Sequence, residues 1–285
     1  MSHRTLISAA ELQALLAQDL APEALPLLVD VGFDLADTAA GERAWTEGHL
    51  PGAHYLHLDR DLSAAKTGTN GRHPLPDRAA FARHMAALGL ASGRQVVVYD
   101  AQGGMYAARL WWMLRWIGHA DAAVLDGGRQ AWAAVGGPLT AEAPVAQPGD
   151  FALGESLVGQ LDADALQARL GQVRLVDARA PERFRGEVEP LDQQAGHIPG
   201  AANRLFKLNL DADGLRFKPA AQLRAEFEPL LGAEGPDAVV HQCGSGVTAC
   251  HNLLAMEHAG LPGSKLYPGS WSEWSADPAR PIARG

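Results

Sequence analysis

The sequence predicts an α/β architecture built twice in tandem. Three observations carry that expectation. The chain has 285 residues, more than one ordinary core holds. A set of landmarks recurs in the same order at an offset of about 142 to 148 residues. Within each repeat, short β-branched runs alternate with helical segments, the pattern of right-handed βαβ crossovers and a mainly parallel sheet with helices on both faces.

The landmarks run as follows. Leu27-Leu28-Val29-Asp30-Val31 is a buried-type strand closed by an acid, and it returns as Val173 through Asp177-Ala178-Arg179. Gly48-His49-Leu50-Pro51-Gly52-Ala53 returns as Gly196-His197-Ile198-Pro199-Gly200-Ala201, and the repetition of His49 and His197 predicts a shared structural hydrogen-bonding role. Helices are expected over Arg78–Leu88 and Met105–Ile117, then over Ala220–Leu231 and Thr248–Ala259. Between the helices of each pair lies a strand, Val97-Val98-Tyr99-Asp100-Ala101 first and Val239-Val240-His241-Gln242-Cys243 second. Asp126-Gly127-Gly128 through Trp132 matches Pro268-Gly269-Ser270 through Trp274. Gly136-Gly137-Pro138 through Gly154 is Pro-containing and aperiodic, so it reads as a linker. The expected organisation is a first domain over 1–138, a linker over 139–156 and a second domain over 157–285.

Composition narrows the function classes. A formal net charge of −9 argues against nucleic-acid binding, which needs a surplus of Lys and Arg on one face. A small anionic substrate stays compatible with locally focused positive potential. The start, Met1-Ser2-His3-Arg4-Thr5-Leu6-Ile7-Ser8, lacks the apolar core of a secretory signal, and no stretch is long and apolar enough to span a bilayer. The expectation is a cytoplasmic protein without membrane contact. The run Trp111-Trp112-Met113-Leu114-Arg115-Trp116 is expected in the core.

The two cysteines, Cys243 and Cys250, are too few for a disulfide framework. Gln242-Cys243-Gly244-Ser245-Gly246 must turn between a strand and a helix beginning near Val247, which puts Cys243 where open α/β sheets bind ligands. Gly244 and Gly246 permit left-handed φ values and close backbone approach, so that the N–H groups of the loop through Val247 and Thr248 can face one centre. The helix dipole adds to the same spot. Such a loop is built to hold an anion, a thiolate or a persulfide. Cys250, within the helix, is expected to be core packing. The equivalent of Cys243 in the first half is Ala101, so one half keeps the loop and lacks the nucleophile. Metal binding through His241, Cys243 and His251 lacks a fourth ligand, and no metal or other cofactor is expected.

These features resemble the tandem rhodanese-domain sulfurtransferases, and the resemblance spans nearly the whole chain. Its carriers are the paired hexads, Asp177-Ala178-Arg179 through Arg183-Phe184-Arg185-Gly186, and Cys243-Gly244-Ser245-Gly246-Val247-Thr248. The last run is similar to the loop of the 3-mercaptopyruvate type, whereas thiosulfate-type members typically carry basic residues where Gly244 and Ser245 stand. The resemblance implies two tandem rhodanese-like domains, the first non-catalytic. It also implies a Cys243 thiolate that takes sulfur from a small anionic donor and passes it to cyanide or to a thiol acceptor, such as a reduced thioredoxin or a small dithiol. It assigns Arg183 to the donor carboxylate, and Asp59, His73 and Ser245 to a proton relay, with Asp61 as a neighbour in nearly the same register as Asp59.

One position departs from the family. The second arginine that often follows nine residues after the first is Asp192 here, which is expected to repel a carboxylate and leaves Arg179, Arg185 or Arg204 to compensate. Among the alternatives, thiosulfate as donor differs only in the substrate, and a non-catalytic sulfur-carrier module lacks turnover. A cysteine phosphatase would need an arginine six residues after Cys243, where Ala249 stands.

Overall fold

Each β-branched run becomes a strand of a parallel sheet because its residues are buried on both faces. A computed structural model of the chain describes residues 2–21 and 24–285; Met1, with which the expected first domain opens, lies outside them. The described residues divide into two compact units.

The first unit carries β1 (Leu6–Ile7), β2 (Leu27–Asp30), β3 (His54–Tyr55), β4 (Val96–Tyr99) and β5 (Ala122–Leu125), side by side in the order β1-β5-β4-β2-β3 with every pairing parallel. Its helices are α1 (Ala9–Leu16), α2 (Ala40–Glu47), α3 (Arg78–Ala87), α4 (Ala107–Trp116) and α5 (Gly128–Ala134). The second unit repeats the plan. Strands β6 (Gly159–Gln160), β7 (Arg174–Asp177), β8 (Ala202–Asn203), β9 (Val239–Gln242) and β10 (Lys265–Leu266) pair in parallel as β6-β10-β9-β7-β8. Helices α6 (Ala163–Gln167), α7 (Pro181–Phe184), α8 (Ala220–Leu231), α9 (Thr248–His258) and α10 (Ser270–Trp274) complete it. The strand order is the same in both, so the repeat of the sequence is a repeat of topology.

The helices next to the central strands are the most buried. In α4 every residue but Arg115 is buried, Trp111 and Trp112 fully, as expected of a helix whose side chains are mostly apolar all round. In α9 Ala249 through Met256 are all buried. The expected helix over Ala220–Leu231 has those bounds. Leu88 and Ala259, expected as last helical residues, are the C-caps of α3 and α9. The helix expected from Met105 starts at Ala107, because Gly103 and Gly104 hold φ of 70° and 85° and keep the preceding turn non-helical.

The two hexads do the same structural work. The backbone of His49 pairs with that of Thr140, its Nδ1 meets Trp45 O at 2.7 Å, and its ring stacks on Trp45 at 4.3 Å. His197 pairs with Ala283, meets Phe184 O at 2.8 Å and stacks on Phe184 at 3.8 Å. The expected linker is tied down along the first unit by backbone bonds from Gly149 to Ala86, Phe151 to Leu90 and Gly154 to Ile117.

At two places the units do not follow the halves of the sequence. Ala64–Leu75 belongs to the second unit and Ala212–Phe217 to the first. Among the described residues no helix is long and apolar enough to cross a membrane.

Candidate functional site

Cys243 follows directly on β9, at the carboxyl end of that strand, and is 2% exposed. The loop it opens is held from one side by the first residues of α10. The Cys243 N–H donates to Ser270 Oγ at 3.1 Å, while Cys243 O and Gly244 O accept from the N–H groups of Trp271 and Ser272 at 3.0 and 2.9 Å. Ser270 itself sits at φ 55° with its hydroxyl donated to Tyr267 O, a strained residue fixed by its own hydrogen bonds. The two loop glycines have different reasons to be glycine, one for each of the two properties expected of them, left-handed φ and close approach. Only Gly246 has positive φ, 76°, and a Cβ there would stand 2.2 Å from Pro268 O. Gly244 is needed for close approach: a Cβ on it would lie 2.8 Å from Arg72 Nη2 and 3.5 Å from Arg183 Nη1.

The matching loop of the first unit shows what this backbone accepts. There the buried Asp100 carboxylate takes the N–H groups of Gln102, Gly104, Tyr106 and Ala107 at 2.8 to 3.0 Å, so the cradle is filled by the chain's own anion. In the second unit the corresponding strand-end residue is the neutral Gln242. Among the described residues no protein acceptor takes the backbone N–H of Gly244, Ser245, Val247 or Thr248. A buried N–H without an acceptor is unfavourable by about 1–3 kcal/mol, so this loop is suited to an anionic guest in a way its twin is not. The Cys250 thiol donates to Gly246 O at 3.4 Å from inside α9, the packing role expected of it.

Around the loop the second unit assembles polar side chains from distant parts of the sequence. His73, 4% exposed, comes from the Ala64–Leu75 segment, and its Nδ1 lies 2.7 Å from Ser245 Oγ. The Arg72 N–H donates to Ser272 Oγ at 3.0 Å, fixing the same segment on α10. The Arg72 guanidinium donates to Asp192 Oδ1, and Arg183 donates to Asp192 Oδ2 at 3.2 Å and to Glu189 Oε1 at 2.7 Å. Asp192 therefore sits between two guanidiniums rather than simply repelling an approaching anion.

The three arginines expected to compensate for Asp192 are committed elsewhere. Arg179 chelates Asp177, donates to Gly196 O and stacks on Trp271 at 4.8 Å. Arg185 pairs with the exposed Glu187. Arg204 bonds Asn209 and Glu226 and lies 3.8 Å over the Phe227 ring. The cation beside the loop that sequence reasoning missed is Arg72, and the one available signal was its adjacency to His73.

Asp59 belongs to the first unit, where its N–H donates to His57 Nδ1 at 3.1 Å. The Asp61 carboxylate accepts the His57 N–H at 2.7 Å and so has a local turn-holding task. Burial pushes the His241 imidazole down to about 3, so it stays neutral, with Nε2 3.0 Å from Met256 Sδ. His251 Nδ1 lies 2.9 Å from Asn209 Nδ2. No group of three or more His, Cys, Asp or Glu side chains among the described residues is arranged to hold a metal ion.

The Rhodanese-like domain family matches the chain twice, over residues 8–135 and 162–277. Over its full length the chain is 50% identical to a probable 3-mercaptopyruvate sulfurtransferase of Pseudomonas aeruginosa, covering 100% of both chains. It is 41% identical to a putative thiosulfate sulfurtransferase of Mycobacterium tuberculosis, covering 99% of this chain and 98% of the relative. Among solved structures it is similar to 3-mercaptopyruvate sulfurtransferase from Leishmania major, with a TM-score of 0.83 and 30% identity over 95% of this chain and 74% of that one.

Proposed function

Since the chain belongs to the rhodanese-like family of sulfurtransferases, we propose that it moves sulfane sulfur from 3-mercaptopyruvate, through a persulfide on Cys243, to a thiol or cyanide acceptor. The observation that carries this reading is the loop behind Cys243, whose Gly244, Ser245, Val247 and Thr248 N–H groups have no protein acceptor among the described residues, flanked by the buried contact between Ser245 and His73.

In the first step the Cys243 thiolate attacks the donor sulfur. A sulfur–sulfur bond forms, the donor carbon–sulfur bond breaks, and its electron pair leaves on the enolate of pyruvate. Ser245, with His73 behind it, relays to the enolate the proton that the donor sulfur gives up, so that pyruvate and a persulfide anion are formed together. The negative outer sulfur of the persulfide then rests against the N–H groups of Gly244, Ser245, Val247 and Thr248, with Gly246 giving the turn that exposes them. In the second step an acceptor thiolate attacks that outer sulfur and Cys243 leaves as thiolate. Arg183 is the cation assigned to the donor carboxylate. Asp59 keeps its place in the relay on the family resemblance alone. A reduced thioredoxin or a small dithiol fits as acceptor, and the proposed setting is the cytoplasm. The proposed division of labour puts the nucleophile Cys243 in residues 157–285, with 1–138 lacking a nucleophile and supporting it through His73 and Asp59.

The resemblance to a putative thiosulfate sulfurtransferase favours thiosulfate as a second donor. The two are separated by comparing kcat/KM for pyruvate release from mercaptopyruvate with that for sulfite release from thiosulfate, cyanide being the common acceptor. The expected preference is at least about tenfold for mercaptopyruvate, the scale on which a site paired to a specific group discriminates. The reverse ratio would assign the chain to thiosulfate, and release of neither product would leave it a carrier.

A further inference from the structure

Asp192 stands where the donor carboxylate needs cations, and the geometry tells what it does there. Its side chain is 5% exposed and divides its two oxygens between Arg72 and Arg183. That is the bridging arrangement a 2-oxo carboxylate would make with the same two guanidiniums. Both guanidiniums meet at Gly244, the residue next to Cys243, because that glycine has no side chain to hold them off. Their own side chains keep contact with solvent, at 24% and 17% exposure.

We propose that Arg72 is the second carboxylate-binding arginine of this protein, and that Asp192 is an internal carboxylate which a 2-oxo acid must displace to bind. The proposal rests on the donor reading above and adds the residue that completes the pocket and the residue that competes for it. Charge counting supports displacement. Arg72, Arg179 and Arg183 are matched one for one by Asp177, Glu189 and Asp192, so a further carboxylate entering with Asp192 in place would meet a neutral cluster. Only Asp192 is detachable. Asp177 is chelated by Arg179, and Glu189 is fixed by Arg179, by Arg183 and by the N–H groups of Leu191 and Asp192. With Asp192 swung away, Arg183 keeps its hold on Glu189 while one of its donors and the Arg72 fork come free.

The test uses the full chain with Asp192→Asn, Arg72→Gln and the double variant. It reads KM and kcat for mercaptopyruvate and, by isothermal titration calorimetry, the Kd of pyruvate for enzyme carrying no sulfur. Asn keeps the shape of Asp192 and removes its charge. The expected result for Asp192→Asn is a fall of about tenfold in both KM and pyruvate Kd, with kcat little changed. Arg72→Gln is expected to raise both by about tenfold, and the double variant to behave like Arg72→Gln alone. If Asp192 only scaffolds the arginines, Asp192→Asn raises KM and Kd instead, and the proposal is overturned; so it is if pyruvate binds none of the proteins. Pyruvate binding does not depend on sulfur transfer. Tighter binding in Asp192→Asn without any persulfide would therefore sink the donor reading and leave this one standing.

Discussion

Replacing His73 by glutamine is expected to slow loading of Cys243 from mercaptopyruvate by about 10²- to 10³-fold, the usual scale of a lost proton transfer, and to leave loading from thiosulfate within a few-fold of wild type. The asymmetry comes from the leaving groups. Pyruvate departs as an enolate that must gain a proton, whereas sulfite departs as a stable anion. His73 Nδ1 lies 2.7 Å from Ser245 Oγ, both groups are buried, and Ser245 is two residues from the nucleophile. Ser245→Ala should show the same donor dependence, and the double variant should be little worse than either single one, because the two act as a unit. The measurement is the time course of the persulfide by quenched-flow mass spectrometry with each donor. Equal slowing with both donors would mean that His73 merely holds the loop in shape.

Gly246→Ala is expected to destabilise the second unit by about 3 kcal/mol, since it combines left-handed strain with a steric overlap in a packed region. At φ 76° the alanine Cβ would stand 2.2 Å from Pro268 O, a backbone atom that cannot rotate away. Pro268 can retreat only by carrying Ser270, Trp271 and Ser272 with it, and these hold the backbone of Cys243 and Gly244. Sulfur loading should therefore fall even at temperatures where the variant is folded. Gly244→Ala makes the informative contrast, because its closest neighbour is the flexible tip of Arg72. Chemical denaturation of both variants checks this, and equal midpoints would show that the loop tolerates a side chain at Gly246.

What the sequence made legible was local or repeated. The β-branched runs, the paired hexads and the strand-loop-helix around Cys243 are each written within a few consecutive residues, and the repeat doubled their signal. The contact between Ser245 and His73 was reachable only through resemblance, since 172 positions separate the two. The pairing of Arg72 with Asp192 spans 120 positions and belongs to a segment that leaves its own half to join the second unit. Spacing carries no trace of such a contact, so in sequence Asp192 reads as a repulsive substitution to be offset by Arg179, Arg185 or Arg204, which the structure pairs with other groups. Asp100 is a similar case. In sequence it is an acid at a strand end, and only its four backbone donors identify it as the anion that fills the silent loop. The different needs of Gly244 and Gly246 likewise emerge only from what stands opposite each of them.

The central claim is that a set of backbone donors without a protein acceptor lets Cys243 carry sulfur, and intact-protein mass spectrometry after incubation with mercaptopyruvate tests it most directly. The wild-type chain is expected to gain one sulfur atom, to lose it on addition of a dithiol, and to gain none as Cys243→Ser. Cys250 is the other free cysteine. A sulfur gain that survives in Cys243→Ser would contradict the account, because the atom would then be carried without the loop that was taken to hold it.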